Sequence, residues 1–166
     1  MSARYVRSGS DINNLPTYTP GAEVGITSLF GNNVGPQIGG NMLVLSSGHA
    51  RDANDPGACG SLSCSNHASG TPVSGYPQPK SGCEISNAIN DDIGFEVTLR
   101  APVNATGFKF RFRFYSFEYP EWVCTTYNDQ FAAIVTPQPT GSLNGNISFD
   151  SQGAPVSVNN ALFGDG

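Results

Sequence analysis

The chain has 166 residues, 38% hydrophobic and only 13% charged, with 20 glycines and 12 prolines. That length suffices for one domain with its own core, and the scarcity of Lys and Glu disfavours long exposed helices. A formal net charge of −5 argues against a nucleic-acid partner, which needs clustered Lys and Arg, and no apolar run approaches membrane-spanning length.

Short strands joined by Gly, Pro and Asn turns fit this composition. They predict an all-β fold, a two-sheet antiparallel β-sandwich of jelly-roll type. Residues 1–24 are polar with little periodicity, and Tyr5-Val6 reads as a short strand. Gly25 to Phe30 is a candidate strand closed by the Gly31-Asn32-Asn33 turn. Met42 to Ser46 is a short apolar run between glycines, the pattern of a buried strand. Residues 48–90 form a long irregular segment, uncommon inside a compact domain unless it is functional or stapled. Ile93 to Leu99 alternates apolar and polar residues and reads as a strand. The Pro102–Gly107 stretch turns it into a second alternating run, with Phe108, Phe110, Phe112 and Phe114 on one face and Lys109, Arg111 and Arg113 on the other. These two runs are expected to form an antiparallel hairpin. Phe131 to Val135 is a further apolar run, and Asn146 to Phe149 with Val156 to Val158 reads as a last short hairpin.

The four cysteines are Cys59, Cys64, Cys83 and Cys124. No CxxC pair occurs, and neither His49 nor His67 completes a zinc pattern. An even count in a Gly/Ser/Asn-rich chain points to two disulfides and an oxidising compartment. Cys59–Cys64 would be a local staple of the long loop and Cys83–Cys124 a long-range tie. Four cysteines allow three pairings, and four reduced thiols are the alternative. The start, Met1-Ser-Ala-Arg-Tyr5, lacks the apolar core of a signal peptide, so paired cysteines imply a chain that begins after its signal.

Between the second alternating run and Phe131 lies a polar cassette. Glu118, Glu121, Asn128 and Asp129 sit among Tyr119, Pro120, Trp122 and Tyr127. Carboxylates concentrated on a loop between strands are where function collects. Calcium takes six to eight oxygen ligands, and these four residues supply that chemistry, with Asp91 and Asp92 as further candidate ligands. The spacing is not that of an EF-hand. The structural alternative pairs Glu118 and Glu121 with Arg111, Arg113 or Arg100 and leaves Asn128-Asp129 to cap a turn. Tyr119, Trp122 and Tyr127 are candidate stacking residues for a carbohydrate or another surface protein, although Trp122 would serve equally as a core anchor beside Cys124. Two carboxylates such as Glu118 with Glu121 or Asp129 also suit glycoside hydrolysis. Ser47-Gly48-His49 with Asp52 or Asp55 lacks the G-x-S-x-G turn of a hydrolase. No catalytic residue is assigned, and the chain is expected not to be an enzyme. Asn104-Ala-Thr106 and Asn146-Ile-Ser148 match glycosylation sequons.

Ser116-Phe-Glu-Tyr-Pro-Glu-Trp-Val123 followed by Tyr127-Asn-Asp-Gln-Phe131 resembles the core motif of the choice-of-anchor L domain family. Leu45-Ser-Ser-Gly48, Asp91-Asp92, Arg100-Ala-Pro-Val-Asn-Ala-Thr106 and Asn146-Ile-Ser-Phe-Asp-Ser-Gln-Gly153 are similar to its myxobacterial branch. The resemblance runs from about Ala3 to Phe163. It implies a secreted bacterial protein tethered to the cell surface by an exchangeable C-terminal anchor, without established enzymatic activity. Relative to that pattern the chain, a single β-sandwich domain over 1–166, looks shortened at both ends, which would expose strand edges and favour self-association. The expected function is an extracellular interaction or adhesion module with a Ca²⁺-stabilised acidic loop. A subunit that self-assembles by edge pairing is the alternative, and a carboxylate-dependent glycoside hydrolase a distant third.

Overall fold

In a computed structural model, which describes residues 1–8, 15–61, 64 and 69–159, regular hydrogen bonding is divided among three two-stranded antiparallel sheets. The strands are β1 (Ser2–Val6), β2 (Val24–Thr27), β3 (Met42–Leu45), β4 (Ser69–Gly70), β5 (Ile89–Asn90) and β6 (Gly94–Thr98). They pair β1 with β6, β2 with β3 and β4 with β5. Among the described residues no helix occurs. The expected class, all-β and antiparallel with two disulfides, is what the chain adopts, and it accords with a sandwich-type architecture. Both expected bonds are present, Cys59–Cys64 and Cys83–Cys124. His67 and residues 160–163 lie outside the described residues.

The chain forms two compact units, one of Met1–Thr71 with Ala88–Arg100 and one of Pro72–Asn87 with Ala101–Gly166. In the first unit all three sheets are found. β6 keeps the alternation read from its sequence, but its partner is β1 and not the run that follows it. Arg4 lies opposite Glu96 and Tyr5 opposite Phe95. The Arg4 guanidinium forks onto the Glu96 carboxylate at 2.9 Å through both Nε and Nη2, while the Tyr5 and Phe95 rings meet at 5.4 Å. Such cross-strand pairs fix register. Val6 is buried opposite Gly94, where a Cβ would approach Val6 Cγ2 to 2.8 Å. A side chain at 94 would therefore push the two strands apart.

Glu23, 2% exposed, precedes β2 and is the principal buried charge of this unit. Arg7 Nη2 approaches its Oε1 at 3.3 Å, and the Arg7 guanidinium lies 3.9 Å over the Tyr18 ring. Burial alone would push the Glu23 carboxyl up. The Tyr18 hydroxyl, the Glu23 and Gly21 N–H groups and the Arg7 charge outweigh it and hold the carboxyl below its ordinary value.

The second unit contains isolated bridges in place of strands, among them Gln130↔Ser157, Ile134↔Asn146 and Phe149↔Pro155. The expected Phe108–Phe114 strand is not part of any sheet. Its alternation survives in the side chains: Phe108, Phe110, Phe112 and Phe131 stack in sequence at 6.4, 5.7 and 4.3 Å. The expected final hairpin is reduced to one bridge and a turn, in which Asp150 accepts hydrogen bonds from the Gln152 and Ala154 amides.

What organises this unit is a buried amide network. Asn146 is fully buried. Its Nδ2 donates to Gln78 Oε1 at 2.8 Å, and its Oδ1 accepts from the Ala133 amide, the Ser148 amide and the Ser148 hydroxyl. The Gln130 side chain grips the Gln78 backbone at both polar groups: its Oε1 accepts the Gln78 amide at 2.9 Å and its Nε2 donates to the Gln78 carbonyl at 2.8 Å. Gln78 Nε2 donates to the Leu143 carbonyl at 2.7 Å. The Asn146 sequon is inaccessible to a glycan, whereas Asn104 is exposed.

Removing one member of a buried network leaves the others unsatisfied at roughly 1–3 kcal/mol each. Asn146→Ala is expected to cost roughly 3–5 kcal/mol in urea unfolding, against less than about 0.5 kcal/mol for the exposed Asn104→Ala. In the first unit, the depressed Glu23 pKa means that its contribution is complete above the ordinary carboxylate range of about 4–4.5 and lost as pH falls below it. Glu23→Gln should flatten the acid limb of the stability–pH curve; an unchanged limb would show that Glu23 does not govern it.

Candidate functional site

The cassette is built from consecutive tight turns. Ser116 Oγ accepts the Glu118 amide at 3.1 Å, the Trp122 amide donates to the Glu118 carbonyl at 2.9 Å, and Val123 and Thr125 repeat the pattern on Pro120 and Trp122. The Tyr119–Pro120 peptide is cis. Cys124 adopts a left-handed backbone (φ 61°), which brings its amide to the Oδ1 of the buried Asn159. The Cys83–Cys124 disulfide fastens the same residue to the loop around Cys83. At its far end the cassette joins the unit's core. The Val158 amide donates to the Asp129 carbonyl at 3.0 Å, and the Phe131 amide to the Val156 carbonyl at 2.9 Å.

The side chains of the cassette differ in exposure. Tyr119, Trp122 and Tyr127 are exposed, and the Trp122 and Tyr127 rings meet edge to face at 5.1 Å. Trp122 is 47% exposed, so it is not the core anchor that its neighbour Cys124 suggested. Glu118, Asn128 and Asp129 are partly buried. Glu118 Oε2 and Asn128 Oδ1 are both shielded from solvent and have no hydrogen-bond partner among the described residues. Burial pushes the Glu118 carboxyl above its ordinary value, and the Asp129 charge adds to this, opposed by the Asp129 backbone N–H.

Glu121 is exposed on the outer side. Asp91 and Asp92 belong to the other compact unit. There Asp92 accepts hydrogen bonds from the Ser8 amide and hydroxyl, and Asp91 is buried with a left-handed backbone (φ 53°). Among the described residues no three His, Cys, Asp or Glu side chains cluster closely enough to hold a metal by themselves. Any cation at the cassette would lean on Asn128 and backbone oxygens beside Glu118 and Asp129. The Ser47-Gly48-His49 stretch does not assemble a triad. His49 Nδ1 bonds the Gly57 carbonyl at 2.8 Å, while Asp52 and Asp55 accept the Gly31 and Asp52 amides.

Sequence reasoning missed a second concave feature, in the first unit. A cleft of about 400 Å³ runs along β2, floored by Val24, Ile26 and Phe30 and rimmed by Arg51, Asp52 and Asp55. The only sequence signal was the R-D-x-x-D spacing of Arg51, Asp52 and Asp55 after the β3 turn.

The chain is a disulfide-tied β protein with exposed aromatics on a cross-linked loop. The family model described as the choice-of-anchor L domain matches residues 6–163, and the chain belongs to that family. No curated protein and no solved structure matches it. Membership points to a secreted or cell-surface protein. No helix among the described residues is long and apolar enough to cross a membrane.

The raised Glu118 pKa means that the folded chain holds this proton more tightly than the unfolded one. Stability is therefore lost as pH rises from the ordinary carboxylate value through the raised folded one. With chelator present, Glu118→Gln is expected to be more stable than the parent at pH 7, by less than about 1 kcal/mol given its partial exposure. The advantage should vanish near pH 4, as thermal unfolding at the two pH values will show.

Proposed function

We propose that this chain is a non-enzymatic interaction module displayed outside a bacterial cell, and that the cassette of residues 116–131 is its recognition surface. The carrying observation is the exposure of Tyr119, Trp122 and Tyr127 on a loop fixed by the Cys83–Cys124 bond and the Asn159 amide cap. Rigid aromatics bind with little loss of conformational entropy. Beads coated with the chain should adhere to bacterial cells, and a Trp122→Ala/Tyr127→Ala double variant should reduce adhesion at least about tenfold, the loss of ~1.4 kcal/mol. Equal adhesion by the two would overturn the assignment of the surface.

We further propose that Ca²⁺ sits under this surface, with Glu118, Asn128 and Asp129 as its side-chain ligands. Support comes from the two unpartnered oxygens, Glu118 Oε2 and Asn128 Oδ1, beside the Asp129 charge. A cation that binds only the folded state raises its stability, by about 2.7 kcal/mol at a hundredfold excess over Kd. Millimolar Ca²⁺ should raise the parent's Tm and reverse its order with Glu118→Gln; no shift with Ca²⁺ or chelator removes the metal.

A second reading, self-assembly through strand edges, is favoured by the Phe108–Phe112 stack. These rings are 42–64% exposed, on an extended run that no sheet takes up. It requires the mass measured by light scattering to rise with concentration above 17.4 kDa.

A further inference from the structure

The cleft along β2 is lined by charges that the fold has only half used. Arg51 is held in place by a single nitrogen: Nη1 donates to the carbonyls of Val24 and Ala50 at 2.5 and 2.8 Å, and more distantly to Ala22 at 3.4 Å. Among the described residues its Nη2 and Nε edge makes no hydrogen bond. Asp52 and Asp55 are each tied through Oδ2 alone, to the Gly31 amide at 2.8 Å and the Asp52 amide at 2.9 Å. Among the described residues nothing engages their Oδ1 atoms, and no ion pair joins either carboxylate to Arg51. The side chains are thus oriented by the backbone while each keeps a hydrogen-bonding edge for something else. Gly25 completes the arrangement. A Cβ there would collide with the Ala50 carbonyl oxygen, so only glycine lets the 50–55 segment lie against β2 at this distance.

We propose that this cleft is a binding site for a neutral carbohydrate, one or two sugar rings in extent. The site carries one positive and two negative groups, a net charge of −1. An anionic ligand would meet two like charges, and a compact cation would meet the guanidinium. A neutral ring with a hydroxyl on almost every carbon uses both signs, giving protons to Asp52 and Asp55 and accepting them from Arg51. The floor suits the other face of such a ring, since Val24, Ile26 and Phe30 present aliphatic and aromatic surface to its C–H groups. A volume of about 400 Å³ lies within the range of small-ligand sites. The inference rests on the surface-module reading and gives it a ligand class, but at a site other than the cassette.

The test is saturation-transfer NMR on the whole chain, irradiating aromatic protons. The probes are glucose, galactose, mannose, N-acetylglucosamine and their methyl β-glycosides, with galacturonic acid and glucosamine as charged controls. At least one neutral sugar should receive saturation at a Kd of about 1–10 mM. Asp52→Asn and Asp55→Asn keep the oxygen that accepts the loop amide and turn the ligand-facing oxygen into an N–H donor. Each should weaken binding at least tenfold without altering the far-UV spectrum, and Phe30→Ala should do the same by removing the floor. Trp122→Ala should leave sugar binding unchanged, which separates this cleft from the cassette. Should Asp52→Asn fail to fold, Asp55→Asn and Phe30→Ala decide. The proposal is overturned if no neutral sugar binds up to about 10 mM, if glucosamine alone binds, or if the aspartate variants bind as the parent does. Bead adhesion that persists through any of these outcomes leaves the module reading standing and removes only the sugar.

Discussion

The second compact unit depends on one side chain, that of Asn146. Where strands would ordinarily supply a ladder, a single carboxamide collects the Ala133 amide, the Ser148 amide, the Ser148 hydroxyl and the Gln78 side chain. In a low-dielectric interior each of these bonds is stronger than in water, and each would be costly to leave unmade. The substitute is needed because the apolar core of the chain is thin. Its buried hydrophobic residues are Val6, Val24, Ala50, Val73, Val156 and Val158, all small. Gln78, Ser148, Ser157 and Asn159 are equally buried, so polar satisfaction carries much of what aromatic burial supplies elsewhere.

That economy explains the exposed aromatics. Phe108, Phe110, Phe112, Phe117, Trp122 and Tyr127 are absent from a core filled by valines and amides. Rings standing outside are tolerable when they stack on each other, as the Phe108 to Phe131 series and the Trp122–Tyr127 pair do. They remain an apolar surface of the kind that partners cover. The same economy explains why the cassette is fixed by covalent and polar means. A disulfide and an amide cap converge on Cys124 and need no hydrophobic volume behind them.

Much of this was legible where a single physical rule governs the residues. Ile93 to Leu99 alternates apolar and polar residues and β6 forms there, although Phe95, Val97 and Leu99 are its exposed side; Met42 to Ser46, read as a buried strand, gives β3 with Leu43 and Leu45 exposed. Cysteine spacing and composition together pointed to the two bonds that occur. Pairing was less legible. Phe108–Phe114 alternates as clearly as β6, yet alternation specifies a face and not a partner, and β6 lies against β1 instead. β4 and β5 are two residues each, too short for any period to show. Asn146 was hidden for a different reason. An Asn beside Ile-Ser reads as a polar surface position unless its four hydrogen-bonding neighbours, which come from residues 78, 133 and 148, are already in place. The cassette was found by its residue types. Its division into exposed rings and unpartnered oxygens depends on turns that the sequence did not fix.

The charges follow from these constraints. Where the fold needs a charge it neutralises it locally, as with Arg4 on Glu96 and Arg7 on Glu23. The charges at the two proposed sites differ in kind. Glu118 and Asp129 are alike in sign, and the Asp129 charge adds to the cost that burial puts on ionising Glu118, which is the cost the proposed cation would relieve. Arg51, Asp52 and Asp55 are of both signs, and each is pinned by one atom to the backbone, so no single ion satisfies them together. What satisfies them is a ligand with donors and acceptors distributed around an apolar ring. The two proposals, a metal in one unit and a neutral polyol in the other, are thus distinguished by the sign pattern of the charges on which each rests.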